Sequence, residues 1–291
     1  MGEKQTGGMT VTGRLYLCAT PIGNLGDITY RAVETLRTAD VIAAEDTRHT
    51  RGLCAHYDIH TPMTSYHEHN KEEKGAELIA RMQAGETVVC VSDAGLPGIA
   101  DPGGDLARRA IAEGLPVTPL PGANAALSAL ICAGLPLEGF TFVGFLPRKE
   151  KKRREVLARV AAYPETLIFY EAPHRLRETL SALVGALGAE RPAAAARELT
   201  KKFEEFRRTT LGELLAYYRE NEPRGEFVLI VAGADEAHVG AVDDTQEMSL
   251  AERYEAHLAA GLDKKEAMRR TAQELGISRR AVYQALLAGD V

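Results

Sequence analysis

TVVCVSDAGLPGIADPG (87–103) joins a short β-rich run, 87–92, to a loop crowded with glycine, proline and acids. The run has the length and branched apolar composition of a buried strand. The loop has the small, turn-forming residues of a chain that must bend sharply. Outward from this stretch the same arrangement recurs. β-Rich runs at 14–20 (RLYLCAT), 40–45 (DVIAAE) and 116–120 (PVTPL) alternate with amphipathic patterns that predict helices over 71–84, 104–113 and 123–133. Such alternation reads as βαβ units around a mostly parallel sheet, an α/β fold. A second series follows, with strands expected at 140–146, 166–171, 192–197 and 226–232 and helices between them.

The break at Gly134-Leu135-Pro136 suggests a domain junction. The expected organisation is a disordered tail (1–12), an N-terminal α/β domain (13–137), a C-terminal α/β domain (138–233), a polar linker (234–248) and a small all-helical tail (249–291). In that tail Ala272, Gly276 and Val282 have helix-turn-helix spacing, Ile277, Ala281 and Leu286 would fill a shared core, and Arg279 and Arg280 would open the second helix. A plain helical hairpin that packs on other surfaces accounts for the same pattern.

Several chemistries are excluded by motif. No GxGxxG follows a strand, no GxxxxGK[ST] occurs, and HExxH and EF-hand loops are absent. Cys18, Cys54, Cys90 and Cys132 form no CxxC pair, so no metal site or disulfide framework is expected and a reducing cytoplasm fits. Cys18, Cys90 and Cys132 sit in apolar runs, where a thiol acts as a small hydrophobe. Apolar stretches are too short to span a bilayer, so no membrane role is expected. The 291-residue chain is 45% hydrophobic and 26% charged, the composition of an ordinary globular protein. A net charge of −6 argues against a globally basic nucleic-acid binder. It leaves room for a local patch. RKEKKRR (148–154) carries six cations in seven positions, Arg148, Lys149, Lys151, Lys152, Arg153 and Arg154, and reads either as a phosphate-gripping patch or as a solvated helix face.

Three loops follow strands of the first series: TPIGNLGD (20–27), AEDTR (44–48) and SDAGLPGIADPG (92–103). In open α/β sheets ligands collect beyond the carboxyl ends of the strands. The third loop carries Asp93 and Asp101 and no lysine, which repels phosphates and suits amines and hydroxyls. A sulfonium nucleoside fits that description better than a nucleotide triphosphate. In the second series FYEAPHR (169–175) and ARELTKK (196–202) also follow strands. His174 there is read as a turn residue ahead of a general base, and Lys201 and Lys202 as either a solvated face or part of a charged loop.

The ordered set ATPIGNLGDIT (19–29), AEDTR (44–48), SDAGLPGIADPG (92–103), LPGANAALSAL (120–130), GFLPRK (144–149), FYEAPHR (169–175), RELTKKFEE (197–205) and GEFVLIVAG (225–233) resembles the tetrapyrrole methylase superfamily, and within it the bacterial methyltransferases of small-subunit ribosomal RNA. Leu96, Gly98, Ala100 and Ala172 depart from the commoner residues of those motifs but leave the backbone pattern intact. The resemblance implies two α/β domains with S-adenosylmethionine in the cleft between them, and a homodimer. It also implies transfer of methyl to the ribose 2′-oxygen of a decoding-centre cytidine of 16S rRNA in the small ribosomal subunit. By the same resemblance the cofactor would meet Pro21, Ser92, Asp93, Ala94, Gly95, Pro97, Ile99, Ala125 and Ala126 from the first half. From the second half it would meet Tyr170, Glu171, Arg197, Glu198, Leu199, Gly225 and Glu226.

Methyl transfer from a sulfonium is an in-line displacement governed by positioning, aided by a base or cation near the acceptor hydroxyl. Glu45, Asp46, Arg48, Glu198 and Lys201 are the candidates, and each has the alternative of a structural ion pair. Two other functions compete. A small-molecule, tetrapyrrole-type methylase would need neither the basic run nor the tail. A nucleic-acid-binding regulator using the 263–287 hairpin would leave the cleft loops unexplained.

Overall fold

A computed structural model describes residues 13–234, 250–259, 262–274 and 277–288. The tail 1–12, most of the linker and Gly276 of the helix-turn-helix spacing lie outside them. The described residues up to Gly233 form one compact unit and the described residues from Ala234 a second.

The first sheet has the order β3-β2-β4-β1-β5, all parallel: β1 Arg14–Cys18, β2 Val41–Ala44, β3 Met63–Ser65, β4 Thr87–Val91 and β5 Val117–Leu120. Alternate side chains of β4 point to opposite faces. Val88 and Cys90 pack with Leu78 and Met82 of α3 (Lys71–Gln83) and Leu106 of α4 (Gly103–Ala112). Val89 and Val91 pack with Leu36 of α1 (Tyr30–Thr38) and Cys54 of α2 (Thr47–His56). Burial on both faces is why the central strands read as unbroken apolar runs.

The second sheet has the order β6-β7-β10-β8-β9: β6 Phe140–Phe145, β7 Thr166–Glu171, β8 Pro192–Arg197, β9 Glu205–Thr210 and β10 Phe227–Val231. Only β6 and β7 are parallel; the β7-β10, β10-β8 and β8-β9 pairs are antiparallel. The expectation of a mostly parallel sheet therefore holds for the first sheet alone. The cause is local: β8 and β9 are joined by the loop 198–204 with no crossover helix, which permits only antiparallel pairing. One face of this sheet is covered by α6 (Glu150–Val160), α7 (Leu176–Leu187) and α8 (Leu211–Glu220). The other is covered by α5 (Ala125–Cys132), whose Ala126, Ala129 and Leu130 pack on Ile168, Val228 and Ile230. The helix just before the Gly134–Pro136 break thus lies on the second sheet, and the two halves share a packed layer.

Cys18, Cys54 and Cys90 are buried; burial, helped by the neighbouring Cys54, pushes the Cys18 thiol up to about 12. Cys132 differs from expectation and is exposed, at the end of α5. In the second unit α9 (Leu250–Ala259), α10 (Lys264–Glu274) and α11 (Arg279–Ala288) pack on one another. Ala267, Thr271, Ala272 and Val282 are buried there. Ile277, expected in the shared core, is 40% exposed, because it occupies the turn, where its N–H donates to the Ala272 carbonyl. Ala281 and Leu286 are half-buried, and Arg279 and Arg280 are exposed in the first turn of α11.

Candidate active site

All five strands of the first sheet run the same way, so the loops after β1, β2, β3 and β4 emerge at one edge. The loop after β4 is folded back by its own hydrogen bonds. Thr20 and Gly95 exchange two backbone bonds (2.9 and 3.1 Å), and Thr20 Oγ1 donates to the Ser92 carbonyl. Gly95 sits at φ +81° and Gly98 at φ +91°, conformations that glycine alone adopts without strain. The Asp101 carboxylate accepts from the Gly98 N–H at 2.9 Å and the Gly103 N–H at 2.8 Å, stapling the loop. Pro97 is buried behind it.

Facing this loop across a cleft of about 330 Å³ are residues of the second sheet: Phe145, Tyr170, Ala196 and Val228, with Leu199 and Lys201 from the β8–β9 loop. The opposite wall contributes Ile22, Glu45, Asp93, Ile99 and Asp101. Ala125, at the start of α5, lies between them; Asn124 caps that helix by accepting from the Leu127 N–H at 2.9 Å, a contact worth about 1 kcal/mol. The Tyr170 hydroxyl accepts from the Ala126 N–H at 3.2 Å, so Ala126 is engaged and only Ala125 borders the open space.

The acids are not equivalent. Burial pushes the Glu45 carboxyl up, and the charges of Asp93 and Asp101 add to this against the Asp93 N–H and His67. The Asp93 N–H donates to Glu45 Oε2 at 3.4 Å, and the Asp93 carboxylate accepts from the Asp46 N–H at 3.0 Å. Asp46 caps α2 through the Arg48 N–H and pairs with the Arg48 guanidinium at 2.6 Å, which holds its carboxyl well below the usual range. Burial acts to lower Lys201, but its bonds to Glu226 at 2.8 Å and Glu198 at 2.9 Å prevail and keep it an ammonium ion. Burial likewise opposes ionisation of Glu198, yet Lys201 and the Glu226 N–H hold its carboxyl below the ordinary value.

The β8–β9 loop is strained. Glu198 at φ +50° and Thr200 at φ +65° are non-glycine residues in the left-handed region, a feature that clusters at ligand clamps. Gly225, at φ +81°, leaves the space that the Glu198 side chain fills: a Cβ there would lie 2.4 Å from Glu198 Cγ.

The expected cofactor residues divide accordingly. Ser92, Asp93, Ala94, Gly95, Ile99, Ala125, Tyr170, Glu171, Leu199 and Glu226 border the cleft, as do Glu45 and Lys201. The Glu171 side chain turns inward, accepting from Thr179 Oγ1 at 2.5 Å. Pro21, Asp46, Arg48, Pro97, Ala126, Arg197, Glu198 and Gly225 do not line it. Arg197 instead donates to the Arg224 carbonyl at 2.6 Å. His174 is exposed in a 3-10 turn, in keeping with the turn reading, and Lys202 lies over the Phe203 ring. Leu96, Ala100 and Ala172, three of the departures from the motif, do line the cleft. Phe145, Ala196 and Val228 were missed, being legible only as core or strand residues. So was His67, which follows the unpredicted strand β3 and acts against the upward push on Glu45.

Of the basic run, Arg148, Lys149, Lys151, Lys152 and Arg154 are exposed, beginning three residues after Phe145 of the cleft. Arg153 is the exception. It lies on the inner face of α6, 8% exposed, and pairs with Glu178 at 2.6 Å, which removes it from any surface patch.

Comparison with known proteins agrees with this arrangement. The model of the tetrapyrrole (corrin/porphyrin) methylases matches residues 14–215. Ribosomal RNA small subunit methyltransferase I of Halalkalibacterium halodurans is 49% identical over 93% of this chain and 93% of its own, and that of Bacillus subtilis 47% over 96% and 95%. The uroporphyrin-III C-methyltransferase of Thermus thermophilus, solved in complex with S-adenosylhomocysteine, superposes with a TM-score of 0.54 at 22% identity, over 76% of this chain and 97% of its own. The two sheets, the glycine-stapled cleft and the length of these matches lead to one conclusion: the chain belongs to the tetrapyrrole (corrin/porphyrin) methylase family.

Proposed function

We propose that the chain is an S-adenosylmethionine-dependent methyltransferase of small-subunit ribosomal RNA, acting on the ribose 2′-oxygen of a decoding-centre cytidine in 16S rRNA. The observation that carries the cofactor is the cleft itself. Its apolar flanks, Ile22, Ile99, Tyr170 and Val228, suit an adenine ring, and its carboxylates suit hydroxyls, an ammonium group and a sulfonium. When bound, S-adenosylmethionine supplies a methyl group already activated on sulfur. The RNA substrate is supported by near full-length identity with the rRNA methyltransferases, which runs well past residue 215 into the helical tail. The exposed cations of α6 beside the cleft add to it.

In this reading the loop 92–103 and Lys201 fix the reactants and exclude water. Glu45 accepts the proton of the acceptor hydroxyl as its oxygen takes the methyl group, the methyl–sulfur bond breaking as the new O–C bond forms. Its burial suits it to that role, since a carboxyl with a raised pKa is a stronger base. Lys201 stays charged and fixes Glu198 and Glu226. Asp46 and Arg48 pair with each other at the start of α2 and take no part in the proton transfer. The working form is a homodimer, a reading favoured by the exposed apolar side chains Leu127, Ile131, Leu137 and Phe140. Tritium transfer from labelled cofactor to small subunits of a strain lacking the gene tests the activity. Label should enter 16S rRNA, and subunits already modified by the wild-type strain should take up little. Label in neither preparation would refute the reading.

A further inference from the structure

An acceptor hydroxyl must reach the cleft, so the pocket that holds the acceptor must share a wall with it. Among the described residues a groove of about 410 Å³ does so, through Ser92 and Asp93. A second groove, of about 360 Å³ beside β6, shares only Phe145. The first groove is lined by the loop after β1 and by α2 from Arg48 to Leu53. We propose that it receives one unstacked nucleotide of the RNA, with the base on the wall of Pro21, Leu25 and Leu53 and a phosphate on Arg48 and His49. The proposal rests on the rRNA reading above.

Three features support it. The first is an absent side chain. Gly52 lines the groove in the middle of α2, where glycine costs about 1 kcal/mol relative to alanine, and a Cβ there would meet nothing within 4 Å. No packing contact demands glycine, and its missing side chain leaves the groove wider at this point. The second is the apolar wall. Leu25 stands 40% exposed on a loop that is fixed, because the Tyr57 hydroxyl donates to its carbonyl and Asn24 caps the turn at the Gly26 N–H. A rigid apolar surface at a groove rim suits a splayed-out base.

The third is the separation of charge. Glu45 and Asp101 line only the cleft and repel phosphate there, while Asp93 stands between cleft and groove with its carboxylate accepting the Asp46 N–H. Arg48 and His49 lie on α2, exposed, where phosphate would be drawn. The Arg48 side chain is 86% exposed, and its bidentate pair with Asp46 fixes the guanidinium plane while leaving its other edge in solvent. A nucleotide seated with phosphate outward presents its sugar to Ser92 and Asp93, the shared wall. Thr50 takes no part, since its hydroxyl is buried and donates to the Asp46 carbonyl.

The test uses the full chain, small subunits from a strain lacking the gene, and three variants. Gly52→Phe fills the groove and should lower kcat/KM for subunits at least tenfold while leaving calorimetric affinity for S-adenosylmethionine unchanged. Arg48→Ala should weaken subunit binding and reduce its salt slope by about 0.7, the value for one single-strand phosphate. Leu25→Ala should weaken subunit binding with no change in slope. The last two replace exposed side chains and keep the proposal testable if Gly52→Phe does not fold. Wild-type kcat/KM in Gly52→Phe, or equal losses of cofactor and subunit affinity, would overturn the groove assignment. If the wild-type chain transfers no label to subunits, the rRNA reading fails and this occupant falls with it. Transfer by wild type with unimpaired variants rejects the groove alone.

Discussion

Replacing Gly225 by alanine tests the structural logic of the β8–β9 loop. The new methyl group would lie 2.4 Å from Glu198 Cγ and 2.5 Å from its Cδ and Oε1, and the substituted residue would be held at φ +81°. The backbone strain costs about 1–2 kcal/mol. Expelling the Glu198 carboxylate breaks its bonds to Lys201 and to the Glu226 N–H. Each bond to a charged group is worth about 1.5–3 kcal/mol when sheltered. Glu198 is 17% and Lys201 29% exposed, so screening brings the pair down to about 2–3 kcal/mol together. Gly225→Ala should therefore destabilise the main unit by about 3–5 kcal/mol, a fall in Tm of about 6–20 °C for a unit of this size. Glu198→Ala alone should cost only the carboxylate's share, about 2–3 kcal/mol. The double variant should then be no worse than Gly225→Ala, because the clash has been removed. Thermal and urea unfolding of the four proteins gives the cycle. A coupling of about 2 kcal/mol is expected, and additivity within about 0.5 kcal/mol would refute the reasoning.

Asp93→Ala removes a cleft carboxylate that also accepts the Asp46 N–H, and calorimetry should show S-adenosylmethionine affinity down by about tenfold or more with the fold intact. Replacing Lys151, Lys152 and Arg154 with alanine should flatten the salt dependence of subunit binding by about 0.7 per lost phosphate contact. Arg153→Ala should leave that slope unchanged and instead lower Tm, because it breaks the pair with Glu178. The pH profile of kcat should carry an acid limb above the ~4.3 of a free glutamate, since Glu45 must be ionised and its folded pKa is raised. Activity is lost as pH falls through that raised value, and Glu45→Gln should lower the rate by about 10²–10⁴ and abolish the limb. Truncation after Gly233 should preserve the Tm of the main unit and its cofactor binding while subunit methylation falls.

Much of this was legible in the sequence because of where the strands lie. β2 and β4 are buried on both faces and so read as plain apolar runs, and the Gly- and Pro-rich loops after them stand out by composition. Two of the four edge strands did not read. β3 is three residues long, and β9, EFRRTT, is largely polar because an edge strand need not bury both faces. Missing β3 hid His67, and missing β9 hid the antiparallel pairing of the second sheet. The charge run 148–154 did not show which way its side chains face, since the interior position of Arg153 depends on Glu178, 25 residues away. The division of labour among Glu45, Asp46, Glu198 and Lys201 is likewise set by partners brought in from other loops.

The central claim, that this cleft methylates small-subunit RNA on a ribose, is tested most directly in cells. A strain lacking the gene is complemented with the wild-type chain or with Glu45→Gln, and 16S rRNA is analysed by mass spectrometry, as nucleosides for the modification and as ribonuclease fragments for its position. The wild-type chain should restore 2′-O-methylcytidine at one decoding-centre position, and Glu45→Gln should not. Identical 16S nucleosides with and without the wild-type chain would contradict the account.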